Sequence, residues 1–243
     1  INHMKKIYWP FLGRKDPPSE GATQLTFHFK DDSISTFDPA WSPDGKEIAA
    51  LAIQEDFARL VLLNAETGRI TRRLVKAGLS KNFEELNLRH NRLSWSGNGK
   101  WVVFVSKAGA TDQINIMDRR GKMVKKIRPK DFTDVGSPAL SPDGARIAFV
   151  GQRQGRADLY LMTVATRAIE RMTDDDAYED GPAFTADGRT IYFSSSKSSG
   201  FESASHDIFA LEFGTNETTG GPGGVASIRR VVGTPFNDRR AAP

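Results

Sequence analysis

Residues 138–150 read Pro-Ala-Leu-Ser-Pro-Asp-Gly-Ala-Arg-Ile-Ala-Phe-Val. The Ser-Pro-Asp-Gly tetrad at the centre is typical of a tight turn, because proline presets the second φ angle, aspartate tolerates the third position and glycine adopts the left-handed fourth. The apolar residues before and after the tetrad predict two strands that this turn joins. The stretch therefore predicts a β-hairpin.

The hairpin pattern recurs four times along the chain. Equivalent tetrads begin 54, 45 and 44 residues apart, at Ser42, Ser96, Ser141 and Thr185. Six residues after each start, a β-branched residue opens an apolar run, at Ile48, Val102, Ile147 and Ile191. A period of about 40–50 residues is typical of the blades of a β-propeller.

Two more strands follow in each repeat. We label the strand before the tetrad a and the strand after it b. Strand c begins 18 residues after the tetrad start in three repeats and 23 residues after it in the last, at Leu60, Ile114, Leu159 and Ile208. Strand d contains Ile70, Val124, Ile169 and Ile228. The sequence therefore predicts an all-β fold, a β-propeller of four-stranded antiparallel blades.

The domain organisation follows from these offsets. We expect residues 27–236 to form four tandem blades, residues 1–26 to be strands c and d of a preceding blade, and residues 237–243 to open a further one. Such propellers usually close with six to eight blades, so we expect a part of a longer protein. The best helix candidate is residues 79–87, in the insertion between the first two repeats.

Composition narrows the function classes. The chain of 243 residues has a net charge of +4 and no cysteine, which excludes disulfides and thiol nucleophiles. No apolar run approaches the length that spans a bilayer. Strand d carries repeated basic residues, as in Val124-Lys125-Lys126-Ile127, and charge on an exposed outer strand discourages aggregation. We therefore expect no nucleic-acid partner.

The tetrads and offsets resemble the TolB-type propeller repeat, a WD-like repeat in which a Pro-Ala-Trp-like strand precedes Ser-Pro-Asp-Gly and an Ile-Ala-Phe-like strand follows it. Residues 39–51 and 138–150 match this pattern well, whereas the tetrad at Ser96 lacks the proline. The resemblance covers residues 22–243. It implies a propeller like those of periplasmic TolB, of prolyl-oligopeptidase-like serine peptidases, of oligogalacturonate lyases and of many lipoproteins.

Catalytic motifs are missing from the sequence. A peptidase of the resembled class needs Gly-x-Ser-x-Gly, which does not occur. A lyase would need a histidine cluster, but the four histidines occupy unrelated positions in the repeats. We expect no enzyme activity from this chain by itself and no catalytic residue.

Acidic residues recur where strand d leads into the next strand a. The richest group is Asp174, Asp175, Asp176, Tyr178, Glu179 and Asp180, with related positions at Asp31, Asp32, Asp38, Asp131, Asp134 and Asp238. Carboxylates that converge there could bind a partner or a cation such as calcium. The alternative is that they are solvated turn residues. No other cofactor is expected.

These expectations favour a binding function over an enzyme. Resemblance to TolB implies a bacterial scaffold that presents the loops between strands d and a to a protein partner in the cell envelope, in the periplasm or outside the cell. The alternative is the propeller domain of a longer prolyl-oligopeptidase-like serine hydrolase, or a glycan-binding or lyase propeller.

Overall fold

The computed structural model describes residues 35–54, 57–75, 85–86, 92–197, 206–215 and 222–232 of the chain. These residues form seventeen β-strands in four antiparallel sheets, and no helix occurs among them. The prediction of an all-β fold with four-stranded antiparallel blades is confirmed. We call the sheets blade 1 to blade 4.

The strands follow the predicted order a, b, c, d in every blade. Blade 1 contains β1 (Ser35–Trp41), β2 (Glu47–Gln54), β3 (Phe57–Asn64) and β4 (Ile70–Val75). Blade 2 contains β5 (Glu85–Leu86), β6 (Ser94–Trp95), β7 (Trp101–Ala108), β8 (Thr111–Asp118) and β9 (Met123–Ile127). Blade 3 contains β10 (Asp134–Leu140), β11 (Arg146–Arg153), β12 (Arg156–Thr163) and β13 (Ile169–Arg171). Blade 4 contains β14 (Glu179–Phe184), β15 (Thr190–Ser195), β16 (Asp207–Thr215) and β17 (Pro222–Val232).

The tetrads form the turns between strands a and b, and each has the same hydrogen bonds. In the third tetrad, the Ser141 hydroxyl donates to Asp143 at 2.5 Å, the amide of Gly144 donates to the Ser141 carbonyl at 2.9 Å, and the amide of Arg146 donates to the Ser141 hydroxyl at 2.8 Å. Gly144 has a φ of 73°, and the glycines of the other tetrads have φ values between 65° and 68°. The hydroxyl of the serine or threonine therefore stabilises the turn in addition to the glycine.

The core lies between blades, because each central strand is buried on both faces. Ala49, Leu51 and Leu60 of blade 1 pack with Val102 and Phe104 of blade 2. Equivalent clusters join blade 2 to blade 3 and blade 3 to blade 4. Successive blades therefore stack face to face, as the apolar runs of strands b predict.

The structure describes two positions of the helix candidate over residues 79–87, and both are in a strand. Glu85 and Leu86 form β5, which pairs antiparallel with Lys107 and Ser106 at the end of β7. Leu86 is 2% exposed and belongs to the core between blades 1 and 2, so this pair of residues extends the edge that β6 begins. The other positions of the expected helix, and the expected partial blades at residues 1–26 and 237–243, lie outside the described residues.

Candidate recognition face

The antiparallel order of the strands divides the turns between two ends of each blade. The tetrads and the turns from c to d lie at one end. The turns from b to c and the connections from strand d to the next strand a lie at the other end. We call this second end the d–a face; it includes residues 128–133, 154–155 and 172–178.

Three aspartates of the connection between blades 3 and 4 form ion pairs at this face. Arg156 lies 2.9 Å from Asp176 and 3.6 Å from Asp174. Lys197 lies 2.9 Å from Asp175. The loop is therefore a mixed network of charges rather than a uniformly negative patch.

A second row of ion pairs links strands c and d. Arg171 lies 2.7 Å from Asp158, which is 1% exposed, and also 2.7 Å from Asp174. Burial raises the pKa of Asp158, although the hydrogen bond from Arg171 acts in the opposite direction. In blade 4, Arg230 pairs in the same way with the buried Asp207 at 2.9 Å. Some basic residues of strand d thus neutralise buried aspartates as well as protecting an edge.

Tyr178 is an exposed aromatic residue on a fixed backbone. Its side chain is 46% exposed. Its amide donates to the Ser196 hydroxyl at 2.8 Å, and its carbonyl accepts from the Ser196 amide at 3.2 Å. The ring also meets His206 edge to face, with 6.3 Å between the ring centroids. A rigid aromatic surrounded by charged groups is typical of interface anchors.

Glu179, the next residue, is buried. The first residue of β14 is 1% exposed, and its Oε1 accepts a hydrogen bond from the Ser195 hydroxyl at 3.2 Å. Its Oε2 is out of contact with solvent and makes no hydrogen bond of ordinary geometry, although the Thr173 hydroxyl lies close enough to interact with the carboxyl group. Burial and the negative charge of Asp175 raise the pKa of Glu179 to about 8, although the hydroxyls of Ser195 and Thr173 act in the opposite direction. This carboxyl group is therefore mostly protonated at neutral pH.

Asp180, on strand a of blade 4, contacts residues of the two preceding blades. It accepts hydrogen bonds from Arg92, at the start of the strand-a edge of blade 2, and from the Ser137 hydroxyl of β10 at 2.8 Å. Ser137 and Gly181 occupy matching bulges of strand a, with φ values of 48° and 57°. The Asp180 carboxylate is thus paired across blades 2, 3 and 4.

A cavity of about 120 Å³ lies beside the first residues of β10 and β14. Asp134, Tyr178, Glu179 and Asp180 all line it, so the structure brings four of the predicted site residues together. Asp174 and Asp176 lie outside it, among the exposed ion pairs.

The remaining predicted positions differ in status. Asp31, Asp32 and Asp238 lie outside the described residues. Asp38 and Asp131 have positive φ angles of 50° and 65°. Within the described ranges, no three His, Cys, Asp or Glu side chains come together closely enough to hold a metal ion.

Two features of this site were not predicted from the sequence: the contact between Arg92 and Asp180, and the burial of the Glu179 side chain. Arg92 contacts a residue 88 positions away, and no local pattern indicates such a contact. The burial of Glu179 could have been predicted from its position in the repeat. It lies six residues before its tetrad, where blade 1 has Thr36 and blade 3 has Val135, and all three side chains are at most 4% exposed. Aligning the repeats therefore places Glu179 at a core position.

Comparison with known proteins agrees with this fold. Residues 94–212 match the family model of the TolB beta propeller domain. A Tol-Pal system protein TolB from Francisella tularensis is 30% identical over 186 residues, which cover 73% of this chain and 39% of that protein. An uncharacterized peptidase, YuxL, from Bacillus subtilis is 26% identical over 178 residues, which cover 72% of this chain and 24% of that protein. The crystal structure of TolB from Acinetobacter baumannii superposes with a TM-score of 0.58 at 21% identity, covering 80% of this chain and 43% of that one.

The stacked four-stranded blades, with tetrad turns stabilised by serine or threonine hydroxyls, define this chain as a β-propeller protein. It belongs to the TolB-type β-propeller family, as the tetrads predicted. The chain spans less than half the length of the two curated relatives described above. No helix long and apolar enough to cross a bilayer occurs in the ranges that the structure describes.

Proposed function

We propose that this chain is a non-catalytic binding and scaffold protein that presents the d–a face to a protein partner of the bacterial cell envelope. The observation that carries the proposal is Tyr178, whose exposed ring stands on a main chain held by two hydrogen bonds to Ser196, within a loop of paired charges. Rigid display of loop residues on a stable scaffold is a common basis of recognition. The Francisella relative, named as a protein of the Tol-Pal system, supports an envelope partner and a periplasmic or extracellular location.

The arrangement of charges supports selectivity at this face. Asp174 and Asp176 are 69% and 76% exposed, although both are paired with Arg156 of blade 3. Exposed pairs contribute little to stability, about 0–1 kcal/mol each. They are therefore available for exchange with charged groups of a partner at small cost to the fold.

Replacing Tyr178 by alanine is expected to weaken partner binding at least tenfold, because truncating a central aromatic anchor typically costs about 2 kcal/mol or more. The partner is first captured from an envelope extract and identified, and its purified form is then titrated against the whole chain by calorimetry. The matched control is Glu66→Gln, an exposed position in the turn between β3 and β4, at the opposite end of the blades. Equal affinities of the two variants, or a loss confined to the control, would contradict the assignment of the face.

A second candidate function rests on the Bacillus relative. That protein is named as a peptidase, and this chain aligns with 24% of it. The propeller would then select substrates for a serine hydrolase domain. A native polypeptide that carries Gly-x-Ser-x-Gly outside these 243 residues would favour this alternative, and mass spectrometry of the native protein distinguishes the two.

A further inference from the structure

A second cavity lies at the d–a face, on the side of blade 3 that packs against blade 2. Its walls are the end of β11, the turn at residues 154–155, the first half of β12 and the end of β13, together with Asp131 of the connection from blade 2. Its volume is about 420 Å³. Pockets that bind small ligands typically measure about 300–1,000 Å³, so this cavity is large enough to admit a side chain of a partner.

Three arginines line the cavity, and one of them has no counter-ion. Arg156 and Arg171 are paired with aspartates, as described above. Arg153 forms no ion pair within the part of the chain that the structure describes, and its Nε and Nη2 donate to the carbonyls of Asp131 and Lys130, each at 3.0 Å. Its Nη1 has no acceptor among the described residues and is not sealed from solvent. Arg153 therefore brings an unneutralised charge and a free donor to the cavity.

The guanidinium group of Arg153 is also held in place. It lies over the ring of Phe132, at 4.0 Å from the ring centroid, and 5.7 Å from the ring centroid of Tyr160. The two carbonyls fix its orientation further. A pre-organised guanidinium loses little conformational entropy on binding, and its planar arrangement of donors matches a carboxylate.

The hydroxyl of Tyr160 indicates a ligand independently of the arginines. Tyr160 lines the cavity but is only 3% exposed. Its hydroxyl has no hydrogen-bond partner among the described residues, yet it is not sealed from solvent as the unpaired Oδ1 of Asp158 is. Burial raises the pKa of Tyr160, and the charge of Asp158 adds to this effect, so the hydroxyl keeps its proton. A nearly buried tyrosine therefore offers an unused donor to the cavity.

The acidic residues of the lining do not cancel these donors. Asp158 is engaged by Arg171 at 2.7 Å, and Asp131 is exposed. Arg156 already holds the exposed carboxylate of Asp176 at 2.9 Å, so carboxylates do bind arginine on this part of the surface. A ligand that accepts hydrogen bonds and carries a negative charge therefore complements the two unused donors.

We propose that this cavity binds the carboxylate of an acidic side chain of the partner protein. This inference rests on the proposed function, because it assigns one specific contact to the partner that the d–a face binds. The carboxylate accepts hydrogen bonds from Nη1 of Arg153 and from the hydroxyl of Tyr160. A side chain fits better than a chain end, because its narrow methylene stem can reach a hydroxyl that is almost fully enclosed.

The test uses Nα-acetyl-glutamate methylamide as the probe and the whole chain as the receptor. Amide shifts of Asp131 and Gln154 are followed by NMR, and a dissociation constant on the order of 1–10 mM is expected for such a fragment. Nα-acetyl-glutamine methylamide has the same shape without the charge. It is expected to bind at least tenfold more weakly, because hydrogen bonds to an ionised group are the stronger ones.

Variants of the two donors test the contacts themselves. Tyr160→Phe keeps the ring and removes the hydroxyl, and it is expected to weaken binding of the glutamate probe at least fivefold. Tyr192→Phe makes the same change on β15 of blade 4, outside the cavity, and should alter the affinity less than twofold. Arg153→Gln removes the unneutralised charge and is expected to weaken binding at least tenfold.

Four results would overturn the proposal. They are no shift with the glutamate probe, equal binding of the glutamine probe, tighter binding of Nα-acetyl-alanine, which carries a chain-end carboxylate, and inorganic phosphate that moves the same amides at tenfold lower concentration. All four are measured on the wild-type chain, so none depends on the folding of a variant.

The outcome is separable from that of the proposed function. If the probe fails but Tyr178→Ala still weakens partner binding, the cavity assignment alone is wrong. If the probe binds but the partner ignores Tyr178, the proposed function is wrong.

Discussion

Replacing Phe149 by alanine is expected to lower the free energy of unfolding by about 3–5 kcal/mol. Phe149 is fully buried on β11, in the cluster that joins blade 3 to blade 2. Its ring stacks on Tyr160 with 5.7 Å between centroids and meets Phe132 edge to face at 5.5 Å. Truncation removes this contact area and leaves a cavity that close-packed strands on both sides cannot fill.

Urea denaturation followed by circular dichroism measures this effect. Val124→Ala is the control, because Val124 lies on an outer strand and is 49% exposed, so its truncation should cost less than about 0.5 kcal/mol. A loss below about 1 kcal/mol for Phe149→Ala would show that the blades do not share a packed core in solution.

The second large predicted effect is an increase in the free energy of unfolding rather than a decrease. Replacing Glu179 by glutamine is expected to raise the free energy of unfolding by about 5 kcal/mol at pH 9 and to leave it almost unchanged near pH 4. The ordinary pKa of this group is 4.5, and the folded protein raises it to about 8. Between these values the unfolded chain has released the proton while the folded protein retains it. Each pH unit in this window therefore destabilises the wild-type fold by about 1.4 kcal/mol relative to the variant.

Unfolding curves of the two proteins at several pH values measure this difference, and contributions of titrating groups that do not interact with Glu179 cancel in the subtraction. Asp176→Asn is the matched control, because the Asp176 side chain is 76% exposed. A stability difference between Glu179→Gln and wild type that stays constant from pH 4 to pH 9 would mean that Glu179 is solvated, and the buried site would then be wrong.

The repeat could be predicted because its signal is local. In the tetrad at Ser42, the hydroxyl donates to Asp44 at 2.6 Å and accepts from the Glu47 amide at 2.9 Å, all within six residues. Strand offsets follow from these turns, which is why every predicted strand b and c overlaps an observed one, although strand c begins three residues earlier than predicted in blades 1 to 3. The short β5 was missed because it forms a strand only by pairing with β7, which lies about 20 residues further along the chain.

The site could be predicted only in part. The connection that carries Asp174 and Tyr178 follows from the repeat, and the structure places it on the d–a face. The pairing of the acidic residues could not be predicted, because Arg156 lies on a strand of the preceding blade and Arg92 lies two blades earlier. An acidic run suggests solvent exposure, whereas the strand register turns Glu179 towards Ser195 and out of water.

The central claim is that recognition occurs on the d–a face, and hydrogen–deuterium exchange of the chain with and without its purified partner tests it most directly. The account predicts slower exchange at the amides of residues 174–180 and of the turn at residues 154–155, with no change in the tetrads. Protection confined to the tetrad turns, such as residues 142–144, with residues 174–180 unaffected, would contradict it.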